Sequence, residues 1–148
     1  MIYKNILVAV DKSNASNMAL QEAVRLAKDQ KAKLRIMYIA DEAIIKSAEK
    51  RISFDILWSA YKEDGQDFLN VINEELKSSN IKYEIFLIEL PLAEGALADK
   101  IIAEAQSWPA DILVLGTHGR RGIKRFLVGS VAESVVRIAT MPVLLIRG

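Results

Sequence analysis

Residues 111–130 read DILVLGTHGRRGIKRFLVGS, an apolar run followed by a segment rich in glycine and basic residues. The four apolar residues at 112–115 have the pattern of a short strand that is buried on both faces of a sheet. Segments with a helical spacing of apolar residues lie on either side, at 95–106 and 130–139. Because neighbouring parallel strands are joined by crossover helices, this arrangement is typical of a parallel α/β sheet.

The same alternation continues outward over the rest of the chain. Four more strand-like runs lie at 6–10, 34–40, 83–90 and 142–146. Helical spacing covers 13–31 and a longer region that is clearest where Phe68, Ile72 and Leu76 recur every four residues. The order β-α-β-α-β-α-β-α-β predicts an open parallel five-stranded sheet with helices on both faces, a Rossmann-like α/β fold.

Residues 41–62 follow neither period cleanly, because charged residues interrupt their apolar ones. We interpret this stretch as a helix plus an irregular connection. Its apolar side chains form either a patch for a partner or ordinary packing over the sheet.

The composition narrows the possible classes of protein. The chain has 148 residues, of which 51% are hydrophobic and 26% charged, values typical of one globular domain over 1–148. The absence of cysteine excludes disulfides, zinc–thiolate sites, iron–sulfur clusters and a thiol nucleophile. No apolar run approaches the roughly 20 residues of a membrane span, and the run at 6–10 is shorter than the roughly 7–15 residues of a signal-peptide core. We therefore expect a cytoplasmic protein without a membrane span.

Positive charge and glycine are concentrated together near the C-terminal end of the sequence. Residues 116–148 contain six Lys and Arg against one Glu, whereas residues 1–115 contain 14 basic residues against 18 acidic ones. Four of the seven glycines fall between Gly116 and Gly129. The overall net charge of +1 argues against a nucleic-acid partner, since such proteins are usually strongly basic.

Ligands of open parallel sheets bind beyond the carboxyl ends of the strands. Those ends are Asp11 after the first strand, residues 39–41 in the second, and the loop 116–130 after the fourth. Glycines in this loop let the backbone adopt a positive φ and let N–H groups approach an anion closely. Gly129 and Ser130 stand where the last helix begins, and a helix N-terminus offers unpaired N–H donors. Together with the four basic residues within 120–125, these features predict phosphate binding.

Simpler roles remain open for several of these residues. Ser130 and Glu133 have the spacing of a capping box, which is compatible with phosphate binding by neighbouring N–H groups. His118, the single histidine, either contacts phosphate or is solvated. Asp11 either caps the first helix, for which residues 13–14 are the N-cap candidates, or holds hydroxyl groups of a ligand.

Several well-known motifs are missing from the sequence. There is no P-loop, no Gly-x-Gly-x-x-Gly after the first strand and no His-Glu-x-x-His. Gly-x-Ser-x-Gly is also absent, which excludes the usual serine hydrolase. No general base with an orienting partner can be recognised, so the residues support binding rather than catalysis.

The spacing Gly116-x2-Gly119-x9-Gly129-Ser130 resembles the phosphate loop of the ATP-binding branch of the universal stress protein family. The strand at 6–11 and the run at 110–116 are similar to the family as well, and the resemblance covers the whole chain. It implies a sheet in the order 3-2-1-4-5 and ATP, with or without Mg²⁺, as the ligand.

The resemblance also implies roles for individual residues. Asp11 would lie at the adenosine part of the nucleotide, and the backbone of Ile39 would hydrogen-bond adenine. Ribose and phosphates would be surrounded by Gly116, His118, Gly119, Gly129, Ser130 and Val131. Members usually form homodimers through the last strand, here Val143 to Ile146, which fits an apolar edge strand that is open to pairing.

Two positions depart from the family's usual sequence, which often has proline where this chain has Ala9 and glycine where it has Lys12. The implied function is that of a small cytoplasmic ATP-binding regulatory protein of the stress response. The alternatives are a dimeric scaffold that binds partners without nucleotide and a slow ATP hydrolase or phosphotransferase.

Overall fold

The computed structural model describes residues 2–46, 53–118 and 128–148. Its strands are β1 (Asn5–Val10), β2 (Lys33–Asp41), β3 (Lys82–Leu90), β4 (Ile112–Gly116) and β5 (Val143–Ile146). Its helices are α1 (Asn14–Gln30), α2 (Glu42–Lys46), α3 (Phe54–Leu76), α4 (Leu97–Ser107) and α5 (Ser130–Ile138). A single 3-10 turn at Leu92–Glu94 precedes α4.

The five strands form one parallel sheet in the order β3-β2-β1-β4-β5. This confirms the predicted fold class and the strand order implied by the resemblance. β1 is the central strand, and its chain leaves through α1 towards β2 on one side, while β4 pairs with it on the other. The strand order therefore reverses at β1, where ligands of such sheets bind.

Alternate residues of the central strands feed two apolar cores on opposite faces of the sheet. On one face, Ile6 and Val8 of β1 pack with side chains of α1 and α3. On the other face, Leu7 of β1 packs with α4 and α5. All three side chains are fully buried, and each such residue contributes about 1.5–3 kcal/mol relative to exposure. The two cores fix the helices above and below the carboxyl edge of the sheet.

Ser13, one of the two N-cap candidates predicted from the sequence, is the N-cap of α1. Its Oγ accepts a hydrogen bond from the backbone N–H of Ser16 at 3.1 Å.

The helix predicted to begin at Gly95 is α4, which begins two residues later, at Leu97, so the predicted start is wrong. Gly95 has a φ of +101° and ends the 3-10 turn, and a residue with that φ cannot begin a right-handed helix.

The capping box predicted for Ser130 and Glu133 does not form. Gly129 is the N-cap of α5, so Ser130 already lies inside the helix, and no side chain among the described residues caps its first turn. The carboxylate of Glu133 instead accepts a hydrogen bond from Arg137 at 2.9 Å. Within the described part of the chain, the donors of this helix N-terminus therefore have no side-chain acceptor.

Residues 41–62 contain α2 and the start of α3, with 47–52 outside the described residues. Phe54, Trp58 and Tyr61 stack along α3 with centroid distances of 6.5 and 6.0 Å. Trp58 and Tyr61 pack against the core, as in the packing interpretation, whereas Ile56 is 63% exposed. Within the described part of the chain, no helix is both long and apolar enough to cross a membrane.

Candidate functional site

A cavity of about 260 Å³ opens at the carboxyl edge of the sheet, beside the point where the strand order reverses. Its volume is close to the lower end of the range for small-molecule sites, about 300–1,000 Å³. Seven of the eight site residues predicted from the sequence line it, namely Asp11, Ile39, Gly116, His118, Gly129, Ser130 and Val131. The eighth, Gly119, lies outside the described residues, as do the basic residues within 120–125. Contact of these residues with a nucleotide stays a prediction.

The second strand extends beyond the first at the edge of this cavity. β1 pairs with β2 only as far as Val10 and Tyr38, whereas β2 continues alongside β3 up to Asp41 and Leu90. Beyond Tyr38, β2 therefore has no strand beside it on the β1 side. The backbone of β2 beyond Tyr38 therefore borders the cavity instead of a neighbouring strand on this side, which makes it a candidate partner for the polar edge of a planar ring.

Asp11 is held in place by the first turn of α1. Its backbone N–H donates to Ser16 Oγ at 2.8 Å, and its Oδ1 accepts the N–H of Ser13 at 2.9 Å. Its Oδ2 has no hydrogen-bond partner among the residues that the structure describes. The capping role belongs to Ser13, so one oxygen of Asp11 remains available to accept a hydroxyl group.

Lys12, beside Asp11, has a backbone conformation that favours glycine. Its φ is +74°, in the left-handed region, which costs a side chain of the L configuration about 1–2 kcal/mol. Its Nζ pairs with the carboxylate of Asp64 on α3 and lies 5.8 Å from the centroid of the Phe68 ring. Glycine, which the resembled family often has at this position, adopts such a φ without strain. In this chain the side chain of Lys12 instead links the loop after β1 to α3.

The N-terminus of α5 has the properties of an anion site. The N–H of Gly129 donates to the carbonyl of Thr117 at 2.7 Å, which fixes the start of the helix against the end of β4. The N–H groups of the next three residues, 130–132, have no acceptor within the helix, as in any first turn, and all three residues line the cavity. Their dipoles favour a negative charge there.

Gly116 and Gly129 do not use the freedom of glycine to adopt a positive φ. Among the described glycines only Gly95 has one. A Cβ on Gly116 would lie 2.8 Å from the carbonyl carbon of Ala15, so glycine lets α1 approach the end of β4. A Cβ on Gly129 would lie 3.0 Å from the carbonyl oxygen of Thr117. Close packing, rather than an unusual backbone angle, is the reason for both.

Sequence reasoning missed several residues that the fold brings to the cavity. Tyr38 and Tyr61 line it with ring centroids 6.3 Å apart, and Thr117 lines it after β4. No sequence signal separates the two tyrosines from ordinary core residues, and Tyr61 reaches the cavity only through the packing of α3 on the sheet. Thr117 directly follows β4, so the topology could have indicated its place. His118 contributes its backbone as well, since its carbonyl accepts a hydrogen bond from Ser13 Oγ at 3.3 Å.

The described residues contain no cluster of three or more His, Cys, Asp or Glu side chains that could hold a metal ion. Magnesium that accompanies a phosphorylated ligand does not require such a cluster, because it is commonly held by substrate phosphates, water and one or two carboxylates.

Comparison with known proteins identifies the group to which this arrangement belongs. The model of the universal stress protein family matches residues 2–147. The chain belongs to the universal stress protein family. A family member from Methanocaldococcus jannaschii is 31% identical over 146 residues, which cover 99% of this chain and 83% of that protein.

Solved structures of the family share the fold. The universal stress protein UspA from Lactobacillus plantarum matches with a TM-score of 0.83 and 28% identity, over 99% of each chain. A universal stress protein from Archaeoglobus fulgidus, solved in complex with dAMP, matches with a TM-score of 0.65 and 23% identity. That match covers 99% of this chain and 100% of the other, and at this identity it shows the fold alone.

Proposed function

We propose that this chain is an ATP-binding regulatory protein of the stress response, which changes its partners or its state with the bound nucleotide. The observation that carries the proposal is the cavity at the carboxyl edge, where seven residues expected from the sequence come together beside an uncapped helix N-terminus. The chain shares its fold with the Archaeoglobus fulgidus protein that was solved in complex with dAMP.

Each part of the cavity matches one part of the nucleotide. The free edge of β2 at Ile39 supplies backbone groups for adenine. The unpaired Oδ2 of Asp11 accepts a ribose hydroxyl. The first-turn N–H groups of α5 receive phosphate, and the basic residues within 120–125 add positive charge in the same loop. Mg²⁺, where it accompanies ATP, is held chiefly by the phosphates and water.

The proposal includes a homodimer formed through β5. This strand is a sheet edge of four apolar residues, Val143–Ile146, with its outer backbone groups unpaired within the sheet. The preceding helix exposes Val136 by 51% and Ile138 by 38%, which adds apolar surface near the C-terminal part of the chain. Edge strands of this kind invite pairing with a second copy. The cytoplasmic location stays a prediction.

Calorimetry with a matched pair of variants tests the nucleotide proposal. Gly129→Glu places a carboxylate at the phosphate end of the cavity, and we expect ATP affinity to fall at least about tenfold. Val128→Glu adds the same charge one residue earlier, at a side chain that is 46% exposed and does not line the cavity, and should bind like the parent. Circular dichroism verifies that both variants fold.

Two results would overturn the proposal. Equal ATP binding by the parent and Gly129→Glu would place the nucleotide elsewhere. A parent protein that releases no adenine nucleotide on denaturation and binds no added ATP·Mg²⁺ would favour the nucleotide-independent scaffold. Phosphate release that persists through a second chromatographic step and disappears in Gly129→Glu would indicate the slow hydrolase instead.

A further inference from the structure

Thr117 follows β4 and lines the cavity with a side chain that is only 6% exposed. Its Oγ1 is buried and has no hydrogen-bond partner in the part of the chain that the structure describes. A buried hydroxyl without a partner is destabilising relative to valine, which has nearly the same shape and needs no hydrogen bond. The presence of threonine rather than valine at this position is therefore better explained by a polar group that enters the cavity than by the packing of the protein.

The backbone of Thr117 is fixed on both sides. Its N–H donates to the carbonyl of Ile146 at the end of β5, at 2.9 Å, and its carbonyl accepts the N–H of Gly129 at 2.7 Å. The side chain consequently starts from a fixed point between β4 and the first turn of α5. Since no group among the described residues holds the hydroxyl, rotation about χ1 between staggered positions can turn it towards the cavity.

We infer that the Thr117 hydroxyl donates a hydrogen bond to a phosphate oxygen of the bound nucleotide. This inference rests on the proposed function and adds a side-chain contact to it. The direct hydrogen bond from Gly129, the N-cap of α5, holds Thr117 beside the start of this helix and its first-turn N–H groups. A hydroxyl that donates to an ionised oxygen makes a stronger bond than one between neutral groups, so this contact favours phosphorylated ligands over the free nucleoside.

Binding of ATP, AMP and adenosine to the parent and three variants, measured by calorimetry, tests the inference. Thr117→Val removes the hydroxyl and keeps the shape, and we expect its affinity for ATP to fall about tenfold, or about 1.4 kcal/mol. Affinity for adenosine should stay within about twofold of the parent, because its binding does not use the contact. Thr117→Ser restores the hydroxyl and should restore most of the ATP affinity. Thr140→Val alters the other threonine of the chain, which does not line the cavity, and should bind all three ligands like the parent.

Thermal unfolding without ligand gives a second, independent readout. Thr117→Val should melt at the same temperature as the parent or above it, because the variant loses an unsatisfied polar group. A markedly lower melting temperature would show that the hydroxyl has a structural partner, which would overturn the inference.

The binding results separate failure of this inference from failure of the proposed function. If the parent binds ATP and Thr117→Val binds it equally well, the inference is wrong and the proposed function stands. An equal loss for ATP and adenosine would place the contact at the nucleoside and overturn the phosphate assignment. If the parent binds none of the three ligands, the proposed function fails and this inference fails with it.

Discussion

Replacing Lys12 with glycine should leave the protein more stable than replacing it with alanine, the reverse of the usual order for these two residues. Lys12 has a φ of +74°, which glycine adopts freely and alanine adopts only with strain. Both substitutions remove the ion pair with Asp64 and the contact with the Phe68 ring, so those losses cancel in the comparison.

The size of the effect follows from two opposing contributions. The left-handed conformation costs a residue with a Cβ about 1–2 kcal/mol. Glycine in turn loses about 0.5–1 kcal/mol relative to alanine through the entropy of the unfolded chain. The difference between these contributions leaves about 0.5–1 kcal/mol, by which we expect the free energy of unfolding of Lys12→Gly to exceed that of Lys12→Ala. For a chain of this size, a difference of about 1 kcal/mol corresponds to roughly 2–4 °C in melting temperature.

Urea unfolding of both variants measures this difference, and Lys28 supplies the control. Lys28 lies inside α1 with an ordinary helical backbone. There the usual order should hold, and Lys28→Ala should be more stable than Lys28→Gly by about 1 kcal/mol. Equal stability of the two Lys12 variants, or greater stability of Lys12→Ala, would refute the conformational explanation for the family's glycine at this position.

Three further predictions address packing, binding and assembly. Gly116→Ala should destabilise the protein by about 1–3 kcal/mol in urea unfolding, since its Cβ would lie 2.8 Å from the backbone of Ala15, and an unchanged midpoint would contradict that packing. Asp11→Asn keeps an oxygen for the N–H of Ser13 but loses the carboxylate, so ATP affinity should fall about tenfold while the melting temperature stays constant; unaltered calorimetric affinity would remove Asp11 from the site. Sedimentation analysis should give a dimer, and a monomer at every concentration would exclude pairing through β5.

Much of the fold could be predicted from the sequence because its signals are local. The apolar runs at 6–10 and 112–115 are too short for helices and are buried on both faces, which requires a parallel sheet covered by helices. The strand order did not follow from these runs and came from the family resemblance. The start of α4 was predicted two residues early because the apolar spacing there does not reveal the positive φ of Gly95.

The candidate site could be predicted only in part. Residues such as Asp11 and Gly129 follow strands or precede a helix, so their place at the carboxyl edge follows from the topology. Tyr61 reaches the cavity from the middle of α3, and that depends on tertiary packing of a helix whose start shows no clean period. The predicted capping box at Ser130 is wrong because a Ser and a Glu at the right spacing do not determine which residue becomes the N-cap, and here the N-cap is Gly129.

A titration of isotope-labelled protein with ATP, followed residue by residue through backbone amide resonances, tests the nucleotide site most directly. The account predicts that the largest shifts occur at the amides of Ile39, Gly129, Ser130 and Val131, with little change along the outer edge of β3. Shifts concentrated away from the carboxyl edge, or none at saturating ATP, would contradict it.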